Sequence, residues 1–286
     1  TWALNQKRLD DDSFLKQGEF VFEETLRNFH HEWKNFHSGL LISYFSSTDP
    51  LQHMFYRYTD PESPGYDAEK AKRYGAVIPD VYKKMDRVLG EVLQKLDKDT
   101  TLIVVSDHGF APFRRAVHVN RWLVEKGYMV LRDPSLQESG EFFENVDWER
   151  TRAYAIGLNG VYLNLAGREK NGIVQNQETE ALTAELIHGL EAALDPDNGR
   201  KMVNKVYRGD QAYTGPYAKN APDLVVGYTR GYRGSWQTAL GAAPKVLVED
   251  NLKAWSGDHC IDPVLVPGIL LSNRKITKTD PSLMDI

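Results

Sequence analysis

Cysteine is almost absent from this chain of 286 residues. Its single cysteine, Cys260, excludes an intrachain disulfide and leaves the redox compartment undetermined. No apolar run approaches the roughly 18 residues that a membrane-spanning helix requires. The first six residues, TWALNQ, also lack the basic and apolar regions of a secretory signal peptide. These absences predict a soluble globular chain and do not indicate its location in the cell.

The sequence has no block of positive charge. Its 35 lysines and arginines are scattered among 40 acidic residues, for a formal net charge of −5. Nucleic-acid-binding proteins usually carry a basic face or stripe, so the composition gives no reason to expect nucleic acid as a partner. The apolar fraction, 41%, is that of an ordinary globular protein, and the length suffices for one large α/β domain.

Alternating strand and helix patterns indicate an α/β fold. The apolar runs 40–45 and 101–105 are typical of buried strands, and an amphipathic helix is predicted between them at 77–96. Strand, crossover helix and strand form the βαβ unit of a mostly parallel sheet. Similar patterns predict a loop or flap at 227–241, helices at 10–33, 119–126 and 178–194, an extended segment at 128–131, and strands at 152–156, 160–165, 202–207, 223–226 and 268–271.

Polar residues follow the two strands of this predicted unit, where open α/β sheets bind their ligands. Asp107 and His108 end the second strand, and Asp49 and His53 follow the first with the four-residue spacing of one helix face. With His259 of a third polar cluster, Asp49 and His53 form a two-histidine, one-carboxylate set that suits zinc. Asp107 and His108 would begin a second set, and paired metals can clamp the oxygens of a displacement at phosphorus.

Each of these residues also has a structural interpretation. An aspartate before Pro50 is typical of a helix cap, and His53 and His108 could be histidines with ordinary hydrogen bonds. Asp258 and His259 could form a turn.

Residues beside the clusters leave further alternatives open. Arg114 and Arg115 could reach a phosphate or lie on the surface, and Cys260 is interpreted as a buried thiol rather than a ligand. Tyr232 and Arg233 are weaker candidates for substrate contact. The histidines interpreted as structural are His30, His31 and His118.

Three stretches carry a family resemblance. Ser47-Thr48-Asp49-Pro50-Leu51-Gln52-His53, Ser106-Asp107-His108-Gly109 and Ser256-Gly257-Asp258-His259 resemble successive motifs of the alkaline phosphatase superfamily. The similarity is greatest to its type I phosphodiesterase/nucleotide pyrophosphatase branch, including predicted phosphohydrolases and phosphomutases. It implies one alkaline-phosphatase-like α/β domain over residues 1–286, with a mostly parallel central sheet flanked by helices. A small α+β cap or insert is expected at about 128–250.

The resemblance implies a site with two divalent metal ions, zinc or alternatively manganese. Asp49, His53 and His259 would hold one ion, and Asp107 and His108 would contribute to the other. In that family an aspartate and a threonine or serine nucleophile from an amino-terminal segment complete the second site. No stretch matches that segment, so the chain is expected to be an internal part of the domain, without an identified nucleophile.

The expected activity is hydrolysis of a small phosphodiester or phosphomonoester substrate. Asp258 would orient the imidazole of His259, and the nearby hydroxyl side chains would hydrogen-bond the ligands rather than attack phosphorus; these are Ser46, Ser47, Thr48 and Ser106. The alternatives are a cofactor-independent phosphomutase, a sulfatase-like hydrolase, and a metal-binding module without catalytic activity.

Overall fold

A computed structural model describes residues 1–285. The chain forms two compact units. Unit 1 comprises residues 1–112, 252–258 and 268–285, and unit 2 comprises residues 113–251 and 259–267. Over the described residues, no helix is long and apolar enough to cross a membrane. The assignment of one domain with a cap or insert at about 128–250 stays a prediction.

Nine α-helices and ten β-strands are present within residues 1–285. The helices are α1 (Trp2–Asn5), α2 (Asp11–Asn35), α3 (Thr48–Phe55), α4 (Ala68–Tyr74), α5 (Val77–Lys95), α6 (Val119–Glu125), α7 (Thr179–Glu191), α8 (Gly209–Ala212) and α9 (Trp236–Ala239). The strands are β1 (Ile103–Val105), β2 (Ala111–Val117), β3 (Ala153–Ile156), β4 (Gly160–Leu163), β5 (Val203–Arg208), β6 (Leu224–Tyr228), β7 (Gly231–Gly234), β8 (Val248–Asp250), β9 (Gly257–Asp258) and β10 (Leu270–Ser272).

The helices of unit 1 enclose an apolar core that supports α3. Helix α2 begins at the cap Asp10, whose carboxylate accepts a hydrogen bond from the Ser13 amide at 2.8 Å. Helix α5 has the predicted amphipathic pattern. These helices and α3 contribute to the core cluster Leu4, Phe14, Leu51, Met54, Phe55, Tyr58, Tyr74, Val77 and Val81. One face of α3 is therefore packed into the core of unit 1.

The strands of unit 1 are short and paired antiparallel. β1 pairs with β10, and the first two residues of β2 pair with β9. The sequence predicts that β1 is a buried strand, but its residues Ile103 and Val105 are each 45% exposed. The apolar run was correctly read as a strand, but the prediction that it is buried was wrong.

The predicted strand at 40–45 does not form. Among residues 1–285, no backbone hydrogen bond joins residues 40–45 to a strand. Phe45 packs against Phe22 and Phe29 of α2, whereas Leu40, Ile42 and Tyr44 are 78–84% exposed. An apolar, β-prone run becomes a strand only when a neighbour accepts its backbone hydrogen bonds, and that condition is not met here.

Unit 2 contains an antiparallel sheet in the order β3-β4-β6-β5. Its β3–β4 hairpin was predicted from the turn at 157–159, where Gly157 has a positive φ of 76°. Helix α7 packs on β5 and buries Leu182, Leu186 and Leu190, as their four-residue spacing predicts. A second group of strands has the order β7-β2-β8, with β2 parallel to β7 and antiparallel to β8.

Two further predictions about strand arrangement need correction. The mostly parallel central sheet is not confirmed, because every described strand pair except β2–β7 is antiparallel. The predicted loop at 227–241 instead contains β7 and α9. It lacks clear periodicity because all four residues of β7 are buried, and Arg233 lies between the rings of Phe113 and Trp236.

Candidate metal centre

Helix α3 holds Asp49 and His53 on the same side. Leu51, Met54 and Phe55 are packed in the core of unit 1, which fixes the rotation of the helix. Nε2 of His53 lies 3.4 Å from Oδ1 of Asp49, one helical turn earlier. His53 is only 3% exposed, whereas the Asp49 side chain is 40% exposed. The pair thus presents a buried imidazole and a carboxylate that solvent can reach.

Asp107 and His108 follow β1 and lie beside this pair. Nε2 of His108 is 3.6 Å from Oδ2 of Asp107 and 4.0 Å from Oδ1 of Asp49. Asp49 and His108 offer ligand atoms within 4.8 Å of each other. The structure therefore brings four of the five predicted metal ligands together within unit 1.

Each imidazole has one ring nitrogen beside a backbone carbonyl. Nδ1 of His53 lies 2.7 Å from the carbonyl oxygen of Gly257, and Nδ1 of His108 lies 3.0 Å from that of Gly109. Since a carbonyl oxygen only accepts hydrogen bonds, both Nδ1 atoms must carry a proton. In that tautomer, Nε2 carries the lone pair and faces the carboxylates.

This arrangement suits a divalent cation chemically. In the neutral tautomers, electron pairs on Nε2 face carboxylate oxygens at 3.4–4.0 Å, and a cation bound by both would relieve their repulsion. Imidazole nitrogen with carboxylate oxygen is a donor set that zinc accepts, and hydrogen bonds from the second ring nitrogen are usual around bound metals. The residues present therefore fit a divalent metal.

Trp255 and the carbonyl of Gly257 were not anticipated from the sequence. The ring centroids of His53 and Trp255 are 3.8 Å apart, and Phe110 contacts the same imidazole edge-on at 4.8 Å. Nε1 of Trp255 donates a hydrogen bond to Oδ2 of Asp258 at 2.6 Å. The only available signal was an aromatic residue two positions before the Gly257-Asp258-His259 motif, and it does not specify these contacts.

The fifth predicted ligand, His259, belongs to unit 2. It is partly exposed and follows Asp258, which is buried at 1% exposure in unit 1. His259 and the partly exposed Cys260 offer ligand atoms within 4.8 Å of each other. A metal role for His259, and an orienting role of Asp258 toward it, stay predictions.

The two arginine candidates lie on β2 in unit 2. The guanidinium of Arg115 is bound by three carboxylates: Asp195 at 2.7 Å, Asp250 at 2.7 Å, and Asp197. These contacts give Arg115 a structural role within unit 2. Contact of Arg114 or Arg115 with a phosphate stays a prediction.

Several other residues considered from the sequence have structural contacts. Oγ of Ser106 accepts a hydrogen bond from the Ile269 amide at 3.0 Å. The hydroxyl of Tyr232 donates to Asp195 at 2.8 Å, and His30 pairs with Glu91 on the surface.

His118 is a buried histidine outside the candidate metal centre. It is fully buried in unit 2, with Oε1 of Glu249 at 3.6 Å from its Nε2. Burial lowers the pKa of His118, and the negative charge of Glu249 opposes that shift only in part. The imidazole is therefore held mainly in its neutral form.

Comparison with known sequences identifies the family of this chain. A search of curated proteins finds no match. A sequence model of the family "Type I phosphodiesterase / nucleotide pyrophosphatase" matches residues 6–242, which include Asp49, His53, Asp107 and His108 but not His259. This family is part of the alkaline phosphatase superfamily, and its members are hydrolases of the phosphodiesterase and pyrophosphatase type. The chain belongs to the type I phosphodiesterase/nucleotide pyrophosphatase family.

Proposed function

We propose that this chain is a metal-dependent phosphoryl-transfer hydrolase acting on phosphodiesters or phosphomonoesters through a two-metal site. Asp49, His53 and His259 would hold one ion, and Asp107 and His108 would contribute to the other. What supports the proposal most is the cluster of two carboxylates and two imidazoles around α3 and the end of β1, with both Nδ1 atoms at backbone carbonyls.

The protein residues would bind and orient the ions and the phosphate ester. Bound divalent ions, zinc or alternatively manganese, would supply Lewis-acid polarisation of phosphoryl oxygens and lower the pKa of water. The partly exposed Asp49 and the exposed Asp107 face solvent, from which a small phosphate ester can enter, whereas His53 is shielded from water. The family motifs in this sequence indicate no nucleophile, and the proposal assigns none.

Metal analysis of purified variants tests the proposed ligands. Replacing His53, Asp107 or His259 by alanine should reduce bound zinc or manganese, measured by plasma mass spectrometry after loading and desalting. His30→Ala is a matched control because His30 is a partly exposed histidine of unit 1 paired with Glu91 on the surface. It should leave metal content unchanged. Wild-type metal content in His53→Ala would refute the ligand assignment.

Activity requires a separate measurement. The wild-type protein loaded with zinc or manganese should hydrolyse bis(p-nitrophenyl) phosphate or p-nitrophenyl phosphate, and His53→Ala should lose that activity. Metal binding without turnover of either ester would favour a non-catalytic metal-binding module.

A further inference from the structure

Segment 252–258 of unit 1 lies against α3, and its backbone is fixed there. The amide of Ser256 donates to the carbonyl of His53 at 2.7 Å, and Oγ of Ser256 accepts from the amide of Arg57 at 2.9 Å. Gly257 permits the close approach, because a Cβ atom there would lie 2.6 Å from the Gln52 carbonyl oxygen. Three consecutive residues, Trp255 to Gly257, therefore contact the helix turn that carries His53.

The hydrogen bond at Nδ1 restrains only part of the imidazole orientation. The Gly257 carbonyl lies 2.7 Å from Nδ1, but a hydrogen bond tolerates a range of angles, so small rotations about χ1 and χ2 can still change the direction of Nε2. Contact with the Trp255 ring, at 3.8 Å between centroids and 32° between planes, restrains these rotations. The contact of Phe110, at 75° to the imidazole plane, closes another side.

The indole of Trp255 is itself held in place. Its Nε1 donates to Oδ2 of Asp258 at 2.6 Å, and its backbone amide donates to Oδ1 of Asn5 at 3.2 Å. Asp258 is 1% exposed, and the strand pairing of β9 with β2 fixes its backbone. A buried carboxylate thus orients the ring that contacts the imidazole.

We propose that Trp255 is a positioning residue for the metal centre. Its indole, hydrogen-bonded to Asp258, holds the imidazole of His53 in the plane that directs Nε2 toward Asp49. The inference rests on the proposed function, because it assigns Nε2 of His53 as a metal ligand. Trp255 acts through His53 and requires no contact with metal or substrate.

Zinc affinity is the first test. Trp255→Ala should weaken zinc binding about 10- to 100-fold, the range typical of changes to residues that orient metal ligands. Trp255→Phe keeps a ring against His53 and should recover most of the affinity. Trp33→Ala is the control, since Trp33 is a half-buried tryptophan on α2, packed against Phe29 and Phe36, and its affinity should equal that of the wild type.

A spectroscopic measurement separates positioning from general loss of structure. In the metal-free protein at neutral pH, ¹⁵N resonances of the His53 ring should show one tautomer, protonated at Nδ1. In Trp255→Ala the ring should hold its hydrogen bond to the Gly257 carbonyl less constantly, so a minor population of the second tautomer should appear while circular dichroism stays unchanged. If this variant does not fold, Trp255→Leu replaces it, because leucine fills apolar volume without a ring plane to restrain the imidazole.

The outcomes separate the two proposals. Unchanged zinc binding in His53→Ala overturns the proposed metal centre. Loss of zinc binding in His53→Ala, together with wild-type affinity and a single tautomer in the folded Trp255→Ala or Trp255→Leu protein, overturns the positioning role alone.

Discussion

Removal of the Asp195 carboxylate should destabilise unit 2 substantially. Asp195 is completely buried, and its Oδ2 lies 2.7 Å from Nε of Arg115. The same carboxylate accepts hydrogen bonds from the Tyr232 hydroxyl at 2.8 Å, the Asn198 side-chain amide at 2.9 Å and the Asp197 backbone amide at 3.0 Å. Asp195→Ala therefore deprives one cation and three donors of their acceptor at once.

The expected loss follows from burial. Breaking a buried ion pair by removing one partner costs about 3–5 kcal/mol, whereas an exposed pair contributes about 0–1 kcal/mol. Arg115 keeps Asp197 and Asp250, but the side chains of these residues are 65% and 52% exposed and compensate little. We expect Asp195→Ala to lower the free energy of unfolding by about 3 kcal/mol. Asp197→Ala, which removes an exposed partner of the same arginine, should cost less than about 1 kcal/mol.

Urea denaturation followed by circular dichroism measures both variants, and amide hydrogen exchange in β7 reports unit 2 separately. The double variant Asp195→Ala/Arg115→Met should be less destabilised than the sum of its single changes by at least about 1 kcal/mol, because the two side chains interact directly. Equal and small effects of Asp195→Ala and Asp197→Ala would refute the argument that burial determines the contribution.

Two further predictions concern buried polar side chains of unit 2. Burial lowers the pKa of His118 below its ordinary value of 6.5, so the unfolded state binds a proton more readily than the folded state. The free energy of unfolding should therefore fall as the pH drops below about 6.5, and His118 should contribute at most ~1.4 kcal/mol per pH unit to this fall. His118→Gln should lose this contribution in urea titrations at pH 5 to 8, and an unchanged pH slope would contradict the assignment. Asn120 is also fully buried, and its side chain bonds the backbone of Ala155 twice and that of Ala242 once. Asn120→Ala should cost about 2–3 kcal/mol in the same assay because it leaves buried backbone groups unpaired, whereas the exposed Asn35→Ala should change little; similar losses in both would contradict this reasoning.

Local patterns predicted the elements whose apolar spacing or turn residues are visible within a single segment. Helices α2, α5 and α7 match their apolar periodicity, and the β3–β4 hairpin matches its glycine turn. The segments 40–45 and 227–241 were predicted incorrectly. Segment 40–45 is not a strand because no neighbouring strand in the described part of the chain pairs with it, and segment 227–241 contains a strand whose residues are all buried. Strand pairing and burial both depend on residues far away in the sequence.

In the candidate site, too, contacts within one segment were predicted from the sequence and contacts between distant segments were not. A four-residue spacing was enough to predict that Asp49 and His53 share one helix face, and Asp107 and His108 are adjacent in sequence. The contacts of His53 with Trp255 and Gly257 span about 200 residues of sequence, so no local pattern encodes them. The same holds for the carboxylates at positions 195, 197 and 250 that surround Arg115.

Gly257 has no side chain, so its backbone can lie close to α3 and its carbonyl can accept the hydrogen bond from Nδ1 of His53. A backbone carbonyl neither titrates nor changes rotamer, and the pairing of β9 with β2 holds this one in place. The surface pair of His30 with Glu91 differs, because both side chains are partly exposed and the glutamate acceptor can change rotamer. The carbonyl should therefore hold the imidazole equally well at low and high ionic strength, with α3 and segment 252–258 in direct backbone contact.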